Sequence, residues 1–377
     1  MRWRGGRRRL ERAVRPGAVL CVALLVSAGC ARFDAAQDQP FTEEPEYAQP
    51  QTSPTPPPPI PPNQIDKQCP APGVMQGCLE TTSGLIMAPD GKSALVAERT
   101  TGAVKEVSFQ AEPKIKTTFA VDPSGDGGLL DITLSPTYSQ DKLMYAYIST
   151  PSDNRVVRIA EGDVPKDILT GIPKGATGNT GALMFSSPTT LLVLTGDAGE
   201  PAQAANPGSL AGKLIRIEQP TTVDQAPPTT AMSGLGAGGG MCTDPADGSL
   251  YVTDRTPTGD RLQRMTPDSK ITTVWTWPDR PGVGGCAALD GTVLVNLVNT
   301  KKTVSVQLAP GTGAVSGEPQ VVREEMHGHA WALQLSADGN VWGATVNKSF
   351  GDAEKVDDVV FPLFSSGGFP RPEESNM

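Results

Sequence analysis

Histidine is nearly missing from this chain. His327 and His329 are the only two among 377 residues. Two imidazoles alone make an incomplete zinc site, and no Cys-x-x-Cys spacing offers a thiolate one. Long apolar runs are also missing. The run at 18–30 holds about a dozen apolar residues against the roughly 20 that span a bilayer, so it is too short for a transmembrane helix. Helical periodicity is scarce beyond position 67, which excludes a helical bundle. The glycine run 234–240 superficially resembles a dinucleotide fingerprint. It leads into a strand-like segment, whereas phosphate cradling requires a helix N-terminus.

What is present begins with an address. Seven arginines (Arg2, Arg4, Arg7, Arg8, Arg9, Arg12 and Arg15) precede the short apolar run, which ends in small residues directly before Cys30. This order predicts a cleaved export signal over 1–29. The cut site resembles the bacterial lipobox, which makes Cys30 the lipidated first mature residue. Ser27 departs from the Leu or Val usual there, and the alternative is an ordinary signal peptide with a free thiol. Loss of the seven arginines and Glu11 takes the formal net charge from −9 to −15. A polyanion is repelled by phosphate backbones and anionic lipid surfaces, so nucleic acid is excluded as a partner and membrane attachment falls to the lipid. The expected location is the extracytoplasmic face of the cell membrane, with the protein a monomer.

Residues 30–66 carry Pro54, Pro56, Pro57, Pro58, Pro59, Pro61 and Pro62, with Glu43, Glu44 and Glu46 upstream. Such a stretch is extended and coreless, and reads as a disordered tether. Residues 367–377 are assigned to a C-terminal tail. Four cysteines remain after export: Cys69, Cys78, Cys242 and Cys286. An even number in an oxidising compartment predicts two disulfides, with three pairings possible. Cys69 and Cys78 would close a local loop. Cys242 and Cys286 precede similar apolar-to-Asp-Gly stretches, which places them on equivalent strands.

Between those ends a unit recurs: an apolar strand, a turn often written Pro-x-Asp-Gly, then a second and a third strand. Copies start near 84, 130, 182, 241, 286 and 331. Six such units at intervals of roughly 45–60 residues predict an all-β, six-bladed β-propeller over 67–366. A ring of this kind closes when one blade borrows a strand from the other end of the chain. Residues 359–364 and 74–79 are the expected partners, pinned by a Cys69–Cys78 bridge.

Three phrases in these units, 127–136 (Gly-Gly-Leu-Leu-Asp-Ile-Thr-Leu-Ser-Pro), 194–198 (Leu-Thr-Gly-Asp-Ala) and 209–217 (Ser-Leu-Ala-Gly-Lys-Leu-Ile-Arg-Ile), resemble the soluble glucose/sorbosone dehydrogenases. The whole chain, with its lipobox and tether, is similar to a mycobacterial envelope lipoprotein. The family resemblance implies a propeller that uses pyrroloquinoline quinone and calcium to oxidise sugars. Its working residues do not carry over. The catalytic His falls on Gly178, followed by Asn179. A Gln is replaced by Asp126, and the Arg-Asn pair against the quinone falls on Gly236 and Ala237. Two last-blade arginines fall near His329 and Trp331, and no Arg lies between Arg323 and Arg371. Lys301 and Lys302 are the available substitutes.

The resulting candidate pocket comprises Asp126, Asn179, His327, His329 and Trp331, with no catalytic residue and no metal ligand assigned. On an alternating strand the two histidines would point the same way; the plainer reading is a solvated junction. Asp122 to Asp126 begins like a calcium loop, but Thr133 stands where the bidentate Glu belongs, so a turn is expected. Trp275 and Trp277 suit either sugar stacking or packing between blades. Asp197, Asp254 and Asp260 read as turn or blade-joining carboxylates. Three functions compete: a non-catalytic module binding an envelope ligand or protein, a quinone-dependent sugar dehydrogenase with a rebuilt site, and a calcium-dependent lactonase-like hydrolase. The missing base favours the first.

Overall fold

The computed structural model describes residues 69, 73–309 and 312–364. The export signal, Cys30, the tether and the C-terminal tail lie outside the described residues. Six antiparallel sheets follow one another along the chain, five of four strands and one of three. Blade one runs Thr82–Met87, Ser93–Glu98, Ala103–Ser108 and Lys114–Thr118. The inner strands of blades two to six are Leu129–Leu134, Ala182–Ser187, Met241–Thr243, Val283–Leu289 and Ala330–Leu335. Inner strands of successive blades pack side by side, and blade one touches both blade two and blade six. The architecture is the six-bladed β-propeller expected from the repeats.

The repeat works because successive side chains of a strand point to opposite faces. In Leu191-Leu192-Val193-Leu194 of blade three, Leu191 and Val193 pack into the cluster shared with blade two. Leu192 and Leu194 pack into the cluster shared with blade four. Val293 and Val295 of blade five likewise face blade four, while Leu294 faces blade six. Each middle strand is therefore buried on both sides, which is why it reads as an unbroken apolar run rather than an alternating one. Six apolar clusters result, one between each pair of neighbouring blades. Trp277 belongs to the cluster between blades four and five, with Trp275 packed against it, which decides for packing over sugar stacking.

Blade six owns only Ala330–Leu335, Val341–Thr345 and Val360–Phe364. Its outer edge is completed from the N-terminal side: Met75 N–H donates to the Val360 carbonyl at 2.8 Å and Val360 N–H returns to Gln76 at 2.9 Å. Met75 and Leu79 then bury against Leu85 and Val96 of blade one. Cys69–Cys78 pins this closing segment, with Cα atoms 5.4 Å apart. Cys242–Cys286 ties the inner strands of blades four and five, with Cα atoms 5.6 Å apart. These strands come close because Gly240 has no side chain: a Cβ there would lie 2.7 Å from the Gly285 Cα.

We predict that replacing Cys69 and Cys78 together by serine destabilises the ring by about 2–3 kcal/mol, the loop-closure entropy of a short bridge. Thermal denaturation should show the loss, and amide exchange should quicken at Met75 and Val360. Unchanged exchange there would show that the bridge does not hold the closing strand.

Candidate functional site

The inner strands enclose a cavity of about 660 Å³, into which each blade contributes side chains: Ile86, Thr133, Met184, Met241, Leu289 and Leu335 in turn. Trp331 also lines it. Four inner strands slip register near their start, at Thr82/Leu85, Leu129/Asp131, Val283/Cys286 and Ala330/Ala332. Such bulges re-aim a side chain, and Trp331 sits on one of them.

At the end where the inner strands begin, Asp126 and Asn179 are brought together. Asp126 accepts the backbone N–H of Gly178 at 2.7 Å and of Asn179 at 3.1 Å, and the Asn179 Nδ2 at 2.5 Å. Asn179 is fully buried. Its Nδ2 also donates to the Gly175 carbonyl, and its Oδ1 accepts from Asn154 and from Gly175 N–H. An amide has two donor hydrogens and two acceptor lone pairs, so nothing on Asn179 remains for a ligand. This pair fastens blade two to blade three.

The two histidines diverge. His327 precedes the strand with a φ of 63°, and its ring packs on Phe361 with centroids 4.9 Å apart. Burial, and after it the charge of Arg323, lowers its pKa. His329 is 5 % exposed, which corrects the expectation of a solvated junction. Its Nδ1 meets the Val298 carbonyl at 2.7 Å, its Nε2 meets Asp352 at 3.1 Å, and its ring stacks on Phe350 at 3.8 Å. Neither forms a shared ligand grip, and of the five expected pocket residues Trp331 is the one that lines the cavity. Lys301 pairs with Asp352 and Lys302 with Glu324, so both proposed substitute cations are engaged.

The carboxylates behave as blade-joining groups. Asp260 accepts from Gly282 and Val283 N–H, carrying blade four to blade five. Asp254 accepts from Gly236 N–H at 2.6 Å and from Nε and Nη2 of Arg261. Asp197 accepts from Gly199 N–H. Burial raises the pKa of both Asp197 and Asp254. Asp122 caps Ser124 and pairs with Lys174, as a turn residue does. Among the described residues no cluster of three or more His, Cys, Asp or Glu could hold a metal ion.

Two residues passed over in the sequence matter here. Asp131, inside the phrase at 127–136, lines the cavity and accepts N–H from Leu183 at 2.7 Å and Ile132 at 2.8 Å. Arg255 lies over Trp331, its guanidinium carbon 4.7 Å from the ring centroid. A lone Asp in one strand and an Arg near the end of another carry no motif, so neither stands out before the ring is assembled.

The family described as Glucose / Sorbosone dehydrogenase matches residues 79–269, just over half of the chain. The chain belongs to this family. The aldose sugar dehydrogenase YliI of Escherichia coli (strain K12) is 25% identical over 212 residues, 49% of this chain and 56% of that protein. The chain thus spans about half the length of this curated relative. The PQQ-bound aldose sugar dehydrogenase of Streptomyces coelicolor superposes with a TM-score of 0.67 at 26% identity, over 77% of this chain and 95% of that one. An oxidoreductase of Thermus thermophilus, described as a glucose dehydrogenase, gives 0.63 at 24% identity, covering 76% and 97%, and supports the fold alone.

Within the family, the residues present here do not fit the quinone. Gly178, where the resemblance puts the base, has φ 74°, and a Cβ added there would lie 2.5 Å from Asp197 Oδ1 and 2.6 Å from Gly199 N. The position has neither a base nor space for one. Gly236 is equally closed, since its Cβ would meet the Arg255 carbonyl oxygen. Where the resemblance puts Arg clamps for a planar polycarboxylate, this chain has His329 and Trp331.

Burial pushes the Asp131 carboxyl up to about 7, against its two backbone hydrogen bonds. A carboxyl whose pKa is higher folded than unfolded binds its proton more tightly in the folded state. Its stabilising contribution is therefore full below about pH 4 and is lost as pH rises through about 7. We predict that Asp131→Asn gains stability relative to the native protein by several degrees between about pH 4 and about pH 8. Parallel melting-temperature curves for the two proteins would refute the buried-carboxyl account.

Proposed function

We propose that this protein is an exported, lipid-anchored propeller that binds an envelope ligand or protein and does not oxidise sugars. Gly178 carries the reading. A general base must come within hydrogen-bond reach of the proton it takes, and glycine at that crowded, left-handed position offers no side chain. Asp126 and Asn179, the other candidates at this end, are committed to joining blades two and three.

The anchoring half rests on the basic, apolar, small-residue, Cys order before Cys30. In this reading the tether over 30–66 lifts a monomeric propeller off the extracytoplasmic membrane face, and the mature charge of −15 keeps it clear of nucleic acid. Cys30→Ala should release the protein from the membrane fraction, and mass spectrometry should find an acylated Cys30 as the first residue. Unchanged fractionation of the variant would exclude the anchor.

The catalytic half is tested by calorimetric titration of the full chain with pyrroloquinoline quinone and Ca²⁺, together with dye reduction in the presence of aldoses. Turnover should be absent. Losing a general base alone costs about 10²–10⁴-fold, and the missing clamps add to it. Gly178→His should not restore activity and should lower stability, because the new side chain meets Asp197 and Gly199. Robust dye reduction by the native protein would overturn the proposal.

A further inference from the structure

Arg255 stacks on the cavity-lining Trp331 and is bonded to no carboxylate of the described residues. Its Nε donates to the Val283 carbonyl at 2.7 Å, and this is the single hydrogen bond of the guanidinium to the described residues. Its Nη2 is buried with no partner at all. The plane lies on Trp331, which is itself half-buried and lines the cavity. An arginine presents five N–H donors in a rigid fork that matches carboxylate or phosphate. Leaving such a fork desolvated and unpaired is costly, and proteins seldom keep one without a counter-group.

The nearby carboxylates do not supply that counter-group. Asp126 and Asp260 both attract Arg255 at a distance, yet neither bonds it. Asp126 is taken up by Gly178 and Asn179, Asp260 by Gly282 and Val283, and Asp254 by Gly236 and Arg261. Arg99, the other cation drawn to Asp126, donates to the Gly127 carbonyl and to Ser349 rather than to an acid. Every carboxylate around this guanidinium is occupied by other donors, and the guanidinium is not. Its backbone is also fixed: the Arg255 carbonyl accepts the Ala237 N–H at 2.7 Å, so the side chain starts from a rigid point.

We propose that Arg255, backed by the Trp331 ring, is the anchor of an anion site that takes a small organic ligand bearing a carboxylate or phosphate group. This deepens the binding reading above and depends on it. The anion pairs with the free face of the guanidinium fork, and the Trp331 indole gives an adjoining apolar surface for the ligand's body.

The test uses the full chain, with glucuronate, inorganic phosphate and neutral glucose as probes at matched ionic strength in chloride. Tryptophan fluorescence and melting temperature are the two readouts, and Trp331→Phe identifies the responding ring. Glucuronate or phosphate should bind and raise the melting temperature, and glucose should do neither. Preference for glucuronate assigns a carboxylate ligand, and preference for phosphate a phosphorylated one. Arg255→Gln should weaken anion binding on the order of tenfold to a hundredfold, the worth of a charge-assisted pair. Arg255→Lys keeps the charge and loses the fork, and should fall between the two. Equal binding in native protein and both variants, glucose binding as well as the anions, or no binding of either anion would each overturn the site. Dye reduction with quinone would instead sink the non-catalytic reading, so the two failures are distinguishable.

Discussion

Everything in this molecule depends on burying both faces of every blade. A four-stranded sheet with apolar residues on each side cannot stand alone in water, and stacking two such sheets still leaves two faces exposed. A ring solves this with six interfaces for six blades, each an apolar cluster shared by neighbours. The solution is all or nothing, because an open ring would expose Met75, Leu79 and Trp342 on one side and Leu85 and Val96 on the other. The borrowed strand at 74–79 is therefore a condition of the fold rather than a terminal ornament. Contacts between residues nearly 300 positions apart must form, at a loop-closure cost that grows only slowly with length.

The same geometry dictates the polar chemistry at the end where the inner strands begin. Six strand starts converge there, four of them with a register slip, and buried backbone donors and acceptors must find partners. Side chains of the adjoining blade meet that need: Asp126 serves blade three, Asp260 serves blade five, and the Ser83 hydroxyl reaches the Leu129 carbonyl of blade two. Charged groups gathered round a central cavity look like a catalytic site from their positions alone. Their hydrogen bonds show that most of them hold the ring together, and Arg255 and Trp331 become visible against that background.

The fold is largely legible in the sequence because its signals are local or periodic. Apolar runs separated by Asp-Gly turns report the blades, and the recurring interval reports their number. The positions of Cys242 and Cys286 within their units point to the bridge between blades four and five. The site is far less legible. Asp126 and Asn179 lie together, yet whether a polar residue has donors and acceptors to spare depends on what faces it, and Gly175, Asn154 and Gly178 have no pattern that says so. The chain around His329 suggests a wet junction because nothing nearby in sequence covers the ring. Its cover is Phe350 and Asp352, from the far side of the next hairpin.

Family membership therefore constrains this protein less than the fold shared with its relatives suggests, since function resides in sites grafted onto folds. The phrases that identify the family, at 127–136 and 209–217, are inner and middle strands and their turns. Their apolar residues belong to the clusters between blades. The positions to which the resemblance assigns the chemistry, 178 and 236, lie in tight connections, and a side chain at either would meet Asp197 or the Arg255 carbonyl. A large side chain at either position would require its neighbours to move. Near the end of the strand Leu250–Thr256, Arg255 lies over Trp331 with its Nη2 unpartnered.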